Sequence, residues 1–234
     1  LKLLSSNKET VFKMENIKAV AFDIDGTLYR NWQLNVRMAF HFLRHSIFFL
    51  HYGLVRKELH KMPADKNFVR IQDELMAKRI KCTPEEAHKK LDAIIYTGLK
   101  KYFPRITPCA GVVDLFKKLK EKGYKIAILS DFPPEQKGDL WGILKYCDVL
   151  IGSEEVGALK PSAAPFEALV ESLNLPSDQI LYVGNSHKYD VVGSKNVGLK
   201  SAWFITPLKS FFGKKSKVAD ITFSKYSQLE KILI

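Results

Sequence analysis

The stretch "IKAVAFDIDGT", residues 17–27, decides how the rest of the chain is read. An apolar run of strand length, interrupted only by Lys18, leads into Asp23, Asp25, Gly26 and Thr27. A strand that is apolar on both faces suits the interior of a parallel sheet. Similar runs recur at "YKIAILSD" (124–131), "DVLIGS" (148–153), "QILYVGN" (179–185), "LKSAWFI" (199–205) and "ADITF" (219–223). Between and after them lie helical patterns: "AGVVDLFKKLKEKG" (110–123), "SAAPFEALVESLN" (162–174), "DVVGSKNVG" (190–198) and "YSQLEKILI" (226–234). Strands alternating with helices predict an α/β fold, a Rossmann-like doubly wound parallel sheet.

One interval breaks this alternation. From about Asn31 to Pro108 there is only helical periodicity. Thr83-Pro84-Glu85-Glu86 has the residues of a capping box with Pro in the first turn, and Ala87, Leu91, Ile94 and Ile95 follow on one face. The expected organisation is an N-terminal arm over 1–15, a core from 16–30 and 108–234, and an all-helical cap over 31–107. "MAFHFLRHSIFFLHYGLV" (38–55) is the most apolar helical stretch, but Arg44 and three histidines make it costly in hydrocarbon. It reads as a soluble helix, and no segment reads as a secretory signal.

The chain has 234 residues, 46% of them hydrophobic, enough for a real core. Its three cysteines, Cys82, Cys109 and Cys147, form no CxxC pair, which fits reduced thiols and a cytoplasmic location. The net charge of +12 comes from lysines spread along the chain, with clusters at "KKLKEKGYK" and "KSFFGKKSK". Neither cluster interleaves aromatics regularly, so the charge argues for a solvated surface and against nucleic acid. No membrane partner is expected, and the oligomeric state is unreadable.

Open parallel sheets bind ligands outside the carboxyl ends of their strands. Those ends carry Asp23 and Asp25, then Ser130 and Asp131, then Lys160 in "GALKPS", then Asn185 and Asp190 in "VGNSHKYDVVGS" (183–194). This set suits phosphoryl transfer. One carboxylate can attack phosphorus while the other shuttles a proton. Gly26 lets the backbone pass close to a phosphate, and the Ser130 hydroxyl and Lys160 ammonium can hold its oxygens. Carboxylates beside a dianionic phosphate call for a divalent cation, and Mg²⁺ suits few oxygen ligands.

The segments "DIDGTLY", "ILSD", "LKPS" and "VGNSHKYDVVGS" resemble, in order and spacing, the four motifs of the haloacid dehalogenase (HAD) superfamily. The resemblance spans about residues 17–206. It implies Asp23 as a nucleophile that forms an aspartyl-phosphate, Asp25 as general acid and base, and Ser130 as phosphate ligand. It also implies that Lys160 steadies the nucleophile and phosphoryl group, with Gly26, Thr27 and Asp131 on the substrate side. Asp23 and the backbone carbonyl of Asp25 would bind Mg²⁺. In many relatives the position of Asn185 is an acid that contacts the metal; here an amide oxygen stands there as a weaker ligand, and Asp190 keeps the second acid of the metal set. The expected activity is Mg²⁺-dependent hydrolysis of a small phosphorylated metabolite.

Rival readings share the fold. A dehalogenase lacks the second acid of the first motif, which Asp25 supplies here. A phosphonate-cleaving enzyme needs a cap lysine such as Lys57 or Lys61, and a phosphomutase would keep the same four motifs. From another class, the chain could be a non-catalytic binding protein that uses its basic surface. Tyr29 and Arg30, just after the first motif, are candidates for sensing substrate. The helically spaced His41, Arg44, His45 and His51 read as a polar stripe, His187 as a solvated loop residue, and Cys109 as a small apolar core residue.

Overall fold

A computed structural model of the chain describes Met14 and residues 16–234. The expected arm over 1–15 therefore lies outside the described residues except for Met14, which packs into the core.

Six strands form one parallel sheet: β1 (Ala19–Phe22), β2 (Lys125–Ser130), β3 (Val149–Gly152), β4 (Ile180–Gly184), β5 (Lys200–Phe204) and β6 (Ile221–Phe223). Their spatial order is β3-β2-β1-β4-β5-β6, with every neighbouring pair parallel. Successive strands step outward from β1 to β3 on one side and from β4 to β6 on the other. The order thus reverses between β1 and β4, which opens a crevice at their carboxyl ends.

The central strands are buried on both faces, as their near-continuous apolar sequences require. All four residues of β1 are buried. Val20 and Phe22 join a core with Leu115, Phe116 and Leu119 of the helix Val112–Glu121 and with Leu229 and Leu233 of Tyr226–Leu233. Ala19 and Ala21, pointing the other way by the strand's two-residue period, meet Phe166, Leu169 and Leu173 of the helix Ala163–Leu173.

Between β1 and β2 the described chain contains helices and no strand. Five helices lead: α1 (Asn31–Arg37), α2 (Ala39–Arg44), α3 (Ser46–Leu59), α4 (Phe68–Ile80) and α5 (Pro84–Leu91). The Thr83 capping box forms as expected, with Glu86 N–H donating to Thr83 Oγ1 and Thr83 N–H to a Glu86 carboxylate oxygen. The segment after Ser130 differs from a regular helix. "PPEQKGDLWGIL" (133–144) breaks into short 3₁₀ turns, because Gly138, Leu140, Trp141 and Gly142 all take positive φ. "DVVGSKNVG" is likewise split between a π-type turn over His187–Val192 and the short helix Gly193–Asn196. No helix among the described residues is long and apolar enough to cross a membrane.

Candidate active site

A cleft of about 260 Å³ opens at the reversal point, lined by residues that include Asp23, Asp25, Asp131, Lys160, Asn185 and Asp190. A larger concavity of about 660 Å³ lies on the outside of the helical insertion, between α4 and α5. Ionic side chains there pair among themselves, Arg70 with Glu74 and His88 with Asp73, and no motif residue reaches it. The chemistry therefore gathers in the smaller cleft.

Asp23 leaves β1 with its N–H donating to Val183 O at 2.9 Å, so β4 holds its backbone at the sheet edge. Its side chain receives two donors: Lys160 Nζ at 2.8 Å on Oδ1 and Thr27 Oγ1 at 2.7 Å on Oδ2. Lys160 Nζ also donates to Asp190 Oδ1 at 2.7 Å and to Tyr182 Oη at 3.0 Å. Tyr182 in turn donates to the carbonyl of Leu129 at 2.9 Å. Asp23, Lys160 and Asp190 are all buried. Burial raises the Asp23 carboxyl to about 7; Lys160 opposes this, while Asp190 and Asp25 add to it. For Lys160, burial favours the neutral amine, but Asp190 and Asp23 outweigh it and hold the ammonium well above its ordinary range. A charged lysine between two carboxylates is the arrangement that makes three buried ionisable groups tolerable.

Gly26 has φ +85°, and a Cβ there would collide with the side chains of Asn185 and Asn31. Gly184, at the end of β4, passes so close to Asp190 that a Cβ would strike its carboxylate. Gly26 thus lets the loops after β1 and β4 meet, and Gly184 lets the β4 loop fold Asp190 back against the strand end. Ser130 ends β2 fully buried, and its Oγ has no hydrogen-bond partner. A buried hydroxyl without a partner is costly unless a ligand satisfies it. Asp131 accepts the Lys160 N–H at 3.1 Å on Oδ1, anchoring the lysine's backbone.

Asp25 sits on the rim, its side chain 30% exposed. Tyr29 donates its hydroxyl to Oδ1, and Lys137 Nζ lies 3.1 Å from Oδ2. Lys137 is itself buried, with its ammonium over the rings of Phe103 at 4.3 Å and Phe132 at 4.9 Å. The insertion supplies two more lining residues from α3 and its C-terminal cap, Arg56 and His60. Arg56 pairs with buried Glu154, which also accepts Tyr96 Oη at 2.7 Å, so the insertion is tied to the core beside the cleft. His60 stacks on Tyr189 with ring centroids 4.4 Å apart, and its Nδ1 lies 2.6 Å from Lys160 O. Burial pushes its imidazole below the usual range, towards the neutral form.

The donors at the mouth fit a hard cation. Asn185 Oδ1 lies 3.5 Å from Thr27 Oγ1, the hydroxyl that donates to Asp23. An amide oxygen and a carboxylate oxygen thus flank one small group, an all-oxygen set of the kind Mg²⁺ accepts together with water. No group of three His, Cys, Asp or Glu converges for a metal among the described residues. Asp190 already uses Oδ1 for Lys160 and accepts the Ser186 N–H at 2.8 Å on Oδ2. Its charge serves the lysine and the loop.

Other sequence candidates fall outside the cleft. Tyr29 is buried against Asp25, and Arg30 stacks on Phe204 at 4.1 Å. His41 is buried with Nε2 2.8 Å from Ile94 O, and His187 Nε2 lies 2.8 Å from Ser216 Oγ. Lys57 and Lys61 are exposed and do not line the cleft. Sequence reasoning missed Lys137, Arg56, His60 and Tyr182. For Lys137 the one available signal was its place among Gly138, Gly142 and two prolines, a composition that breaks helices and forms loops.

Residues 17–198 match the family of haloacid dehalogenase-like hydrolases, which is most of the chain. The protein belongs to that family and is a hydrolase. Among curated relatives, pyrophosphatase PpaX of Halalkalibacterium halodurans is 28% identical over 193 residues, covering 80% of this chain and 82% of that protein. A putative pyrophosphatase PpaX of Clostridium perfringens is 30% identical over 197 residues, covering 79% and 82%. The crystal structure of a HAD phosphatase from Thermococcus onnurineus superposes with a TM-score of 0.62 at 23% identity, covering 93% of this chain and 98% of that one.

Proposed function

We propose that the protein is a Mg²⁺-dependent phosphohydrolase that acts on a small phosphorylated substrate through an aspartyl-phosphate on Asp23. The observation that carries this reading is the Asp23 carboxylate held between the Lys160 ammonium and the Thr27 hydroxyl, with Asp25 lining the same cleft. Relatives named as pyrophosphatases support phosphate ester or anhydride cleavage as the reaction class.

The substrate phosphate would enter at the mouth and satisfy the unpartnered Ser130 hydroxyl. An Asp23 carboxylate oxygen attacks phosphorus, and the bond to the leaving oxygen breaks. Asp25 gives that oxygen its proton, and Tyr29 and Lys137 hold Asp25 in place. Water then attacks the same phosphorus, Asp25 takes the water's proton, and Asp23 is released with its original oxygens. Lys160 offsets negative charge beside Asp23 throughout. Bound Mg²⁺, held by Asp23, Asn185 and the Asp25 carbonyl, would supply positive charge against phosphate repulsion. The small cleft and the insertion above it favour a compact leaving group.

Phosphate release from an aryl phosphate, inorganic pyrophosphate and a panel of sugar phosphates tests this reading. Turnover should require Mg²⁺, stop with EDTA, and vanish in Asp23→Asn. Release that persists in Asp23→Asn would refute it.

A further inference from the structure

The helical insertion carries an apolar face that the site does not use. Val36, Phe40, Leu43, Ile47, Leu50 and Leu54 recur at alternating spacings of four and three residues, which places them in one stripe along α1 to α3. All six are exposed, Phe40 by 77% and Ile47 by 72%. The three helices follow one another almost without interruption. Phe42 N–H donates to Met38 O and Phe49 N–H to His45 O, bridging the two non-helical residues. The opposite face is the one that packs inward, through His41, Tyr52, Val55 and Leu59. A contiguous exposed apolar stripe of this size marks a surface that is covered by something else.

Charge identifies what covers it. No acidic residue occurs between Asp25 and Glu58, while Arg37, Arg44 and Lys57 flank the stripe. A second basic and apolar element lies at "PLKSFFGKKSK" (207–217), where Leu208, Phe211 and Phe212 are exposed, Phe211 by 84%, among four lysines. No acid occurs between Asp190 and Asp220 either. The two elements share a root: Arg30, just before α1, stacks on Phe204, the end of β5, which leads into the short helix Pro207–Phe211. Ser216 in turn holds His187 of the loop after β4. Both elements therefore rise from the carboxyl edge of the sheet, the edge on which the cleft opens.

We propose, against the sequence-based expectation of no membrane partner, that these two elements dock the protein on an anionic phospholipid bilayer, with the stripe and the Phe211-Phe212 turn in the interface and the cations on lipid headgroups. An aromatic and aliphatic face edged by arginine and lysine is the composition that binds such a surface in plane. A second copy of the chain fits less well. Within residues 26–58, Glu58, already paired with Arg79, is the one acid that self-pairing could set against Arg37, Arg44 and Lys57 of each copy. Docking is independent of the chemistry proposed for the cleft, so failure of one leaves the other standing.

Cosedimentation of the full chain with vesicles tests it. Vesicles of phosphatidylcholine with phosphatidylglycerol should bind the protein, and pure phosphatidylcholine vesicles should bind it at least about tenfold more weakly. Raising the salt should weaken the binding. The exposed double variants F40S/I47S and F211S/F212S should each lower vesicle affinity by about tenfold or more while leaving aryl phosphate turnover unchanged. Equal binding to neutral and anionic vesicles, or none to either, would overturn the proposal. So would sedimentation of the wild type as a dimer that F40S/I47S dissociates, without vesicle binding.

Discussion

Asp23 and Asp25 are separated only by Ile24, yet they belong to two different regions of the cleft. The floor, around Asp23, is a closed network of Lys160, Asp190, Tyr182 and Thr27 drawn from strand ends. The rim, around Asp25, is assembled from Tyr29, Lys137, Arg56 and His60, supplied by the first loop, the turns after β2 and the insertion. On the floor, the buried Lys160 offsets two buried carboxylates, so removing it disturbs the fold as well as the chemistry. On the rim, the acid is partly solvated and only its partner Lys137 is buried, so a change at Asp25 should alter chemistry more than stability.

The largest effect should come from Lys160→Met. It would leave Asp23 and Asp190 buried without their shared cation, lowering stability by roughly 3–5 kcal/mol and abolishing turnover. Chemical denaturation and phosphate release measure the two effects. Wild-type stability in this variant would show that the floor is not an electrostatic unit.

Asp25→Asn breaks the comparison from the other side. Turnover should fall by about 10²–10⁴, as expected for a proton shuttle, with a smaller loss of stability than in Lys160→Met, because the Asp25 carboxyl is partly solvated although it pairs with the buried Lys137. Lys137→Met should cost less, roughly tenfold in kcat, because it only positions Asp25. A KM effect alone would place Lys137 in substrate binding instead.

pH sharpens the contrast for the metal-free protein. Asp23 has a folded pKa of about 7 against an ordinary value of 3.8, so its folded form is favoured when protonated. The stability it contributes is complete below about pH 4 and is lost as pH rises through 7. Asp23→Asn, which cannot ionise, should therefore melt higher than wild type at pH 8, by less at pH 5, and no higher below about pH 4. Identical pH profiles for the two proteins would contradict this. The smallest expected effect concerns the mouth. Asn185→Asp should tighten Mg²⁺ several-fold by calorimetry, and an unchanged affinity would remove Asn185 from the ligand set.

Most of the floor and Asp25 were legible in the sequence, while Tyr182 and the rim residues Lys137, Arg56 and His60 were not, for physical reasons. Asp23, Ser130 and Asn185 are found by strand ends, and strand ends follow from apolar runs that any buried parallel strand must have. Lys160 and Asp190 follow from loops just beyond them. Tyr182 was hidden because a tyrosine inside an apolar run reads only as a core residue. Arg56 and His60 were hidden by their surroundings, since the end of α3 and its cap carry Arg56, Lys57, His60 and Lys61 in near succession, with His51 a turn before. Only tertiary packing against Glu154 and Tyr189 separates them from His51 or Lys57. Lys137 reaches Asp25 because the chain after β2 turns repeatedly at positive φ, which no periodic pattern in that segment announces. The amide in "VGNSHKYD" was legible as a departure from the family. The use of Asp190 by Lys160 became visible only in the folded arrangement.

The most direct measurement is an acid-quenched single turnover with an excess of enzyme over phosphorylated substrate, followed by mass spectrometry of the peptides. A phosphoryl group on the peptide carrying Asp23, absent in Asp23→Asn, is the expected result. Phosphate release with no adduct on that peptide, and with Asp23→Asn still turning over, would contradict the assignment of Asp23 as nucleophile.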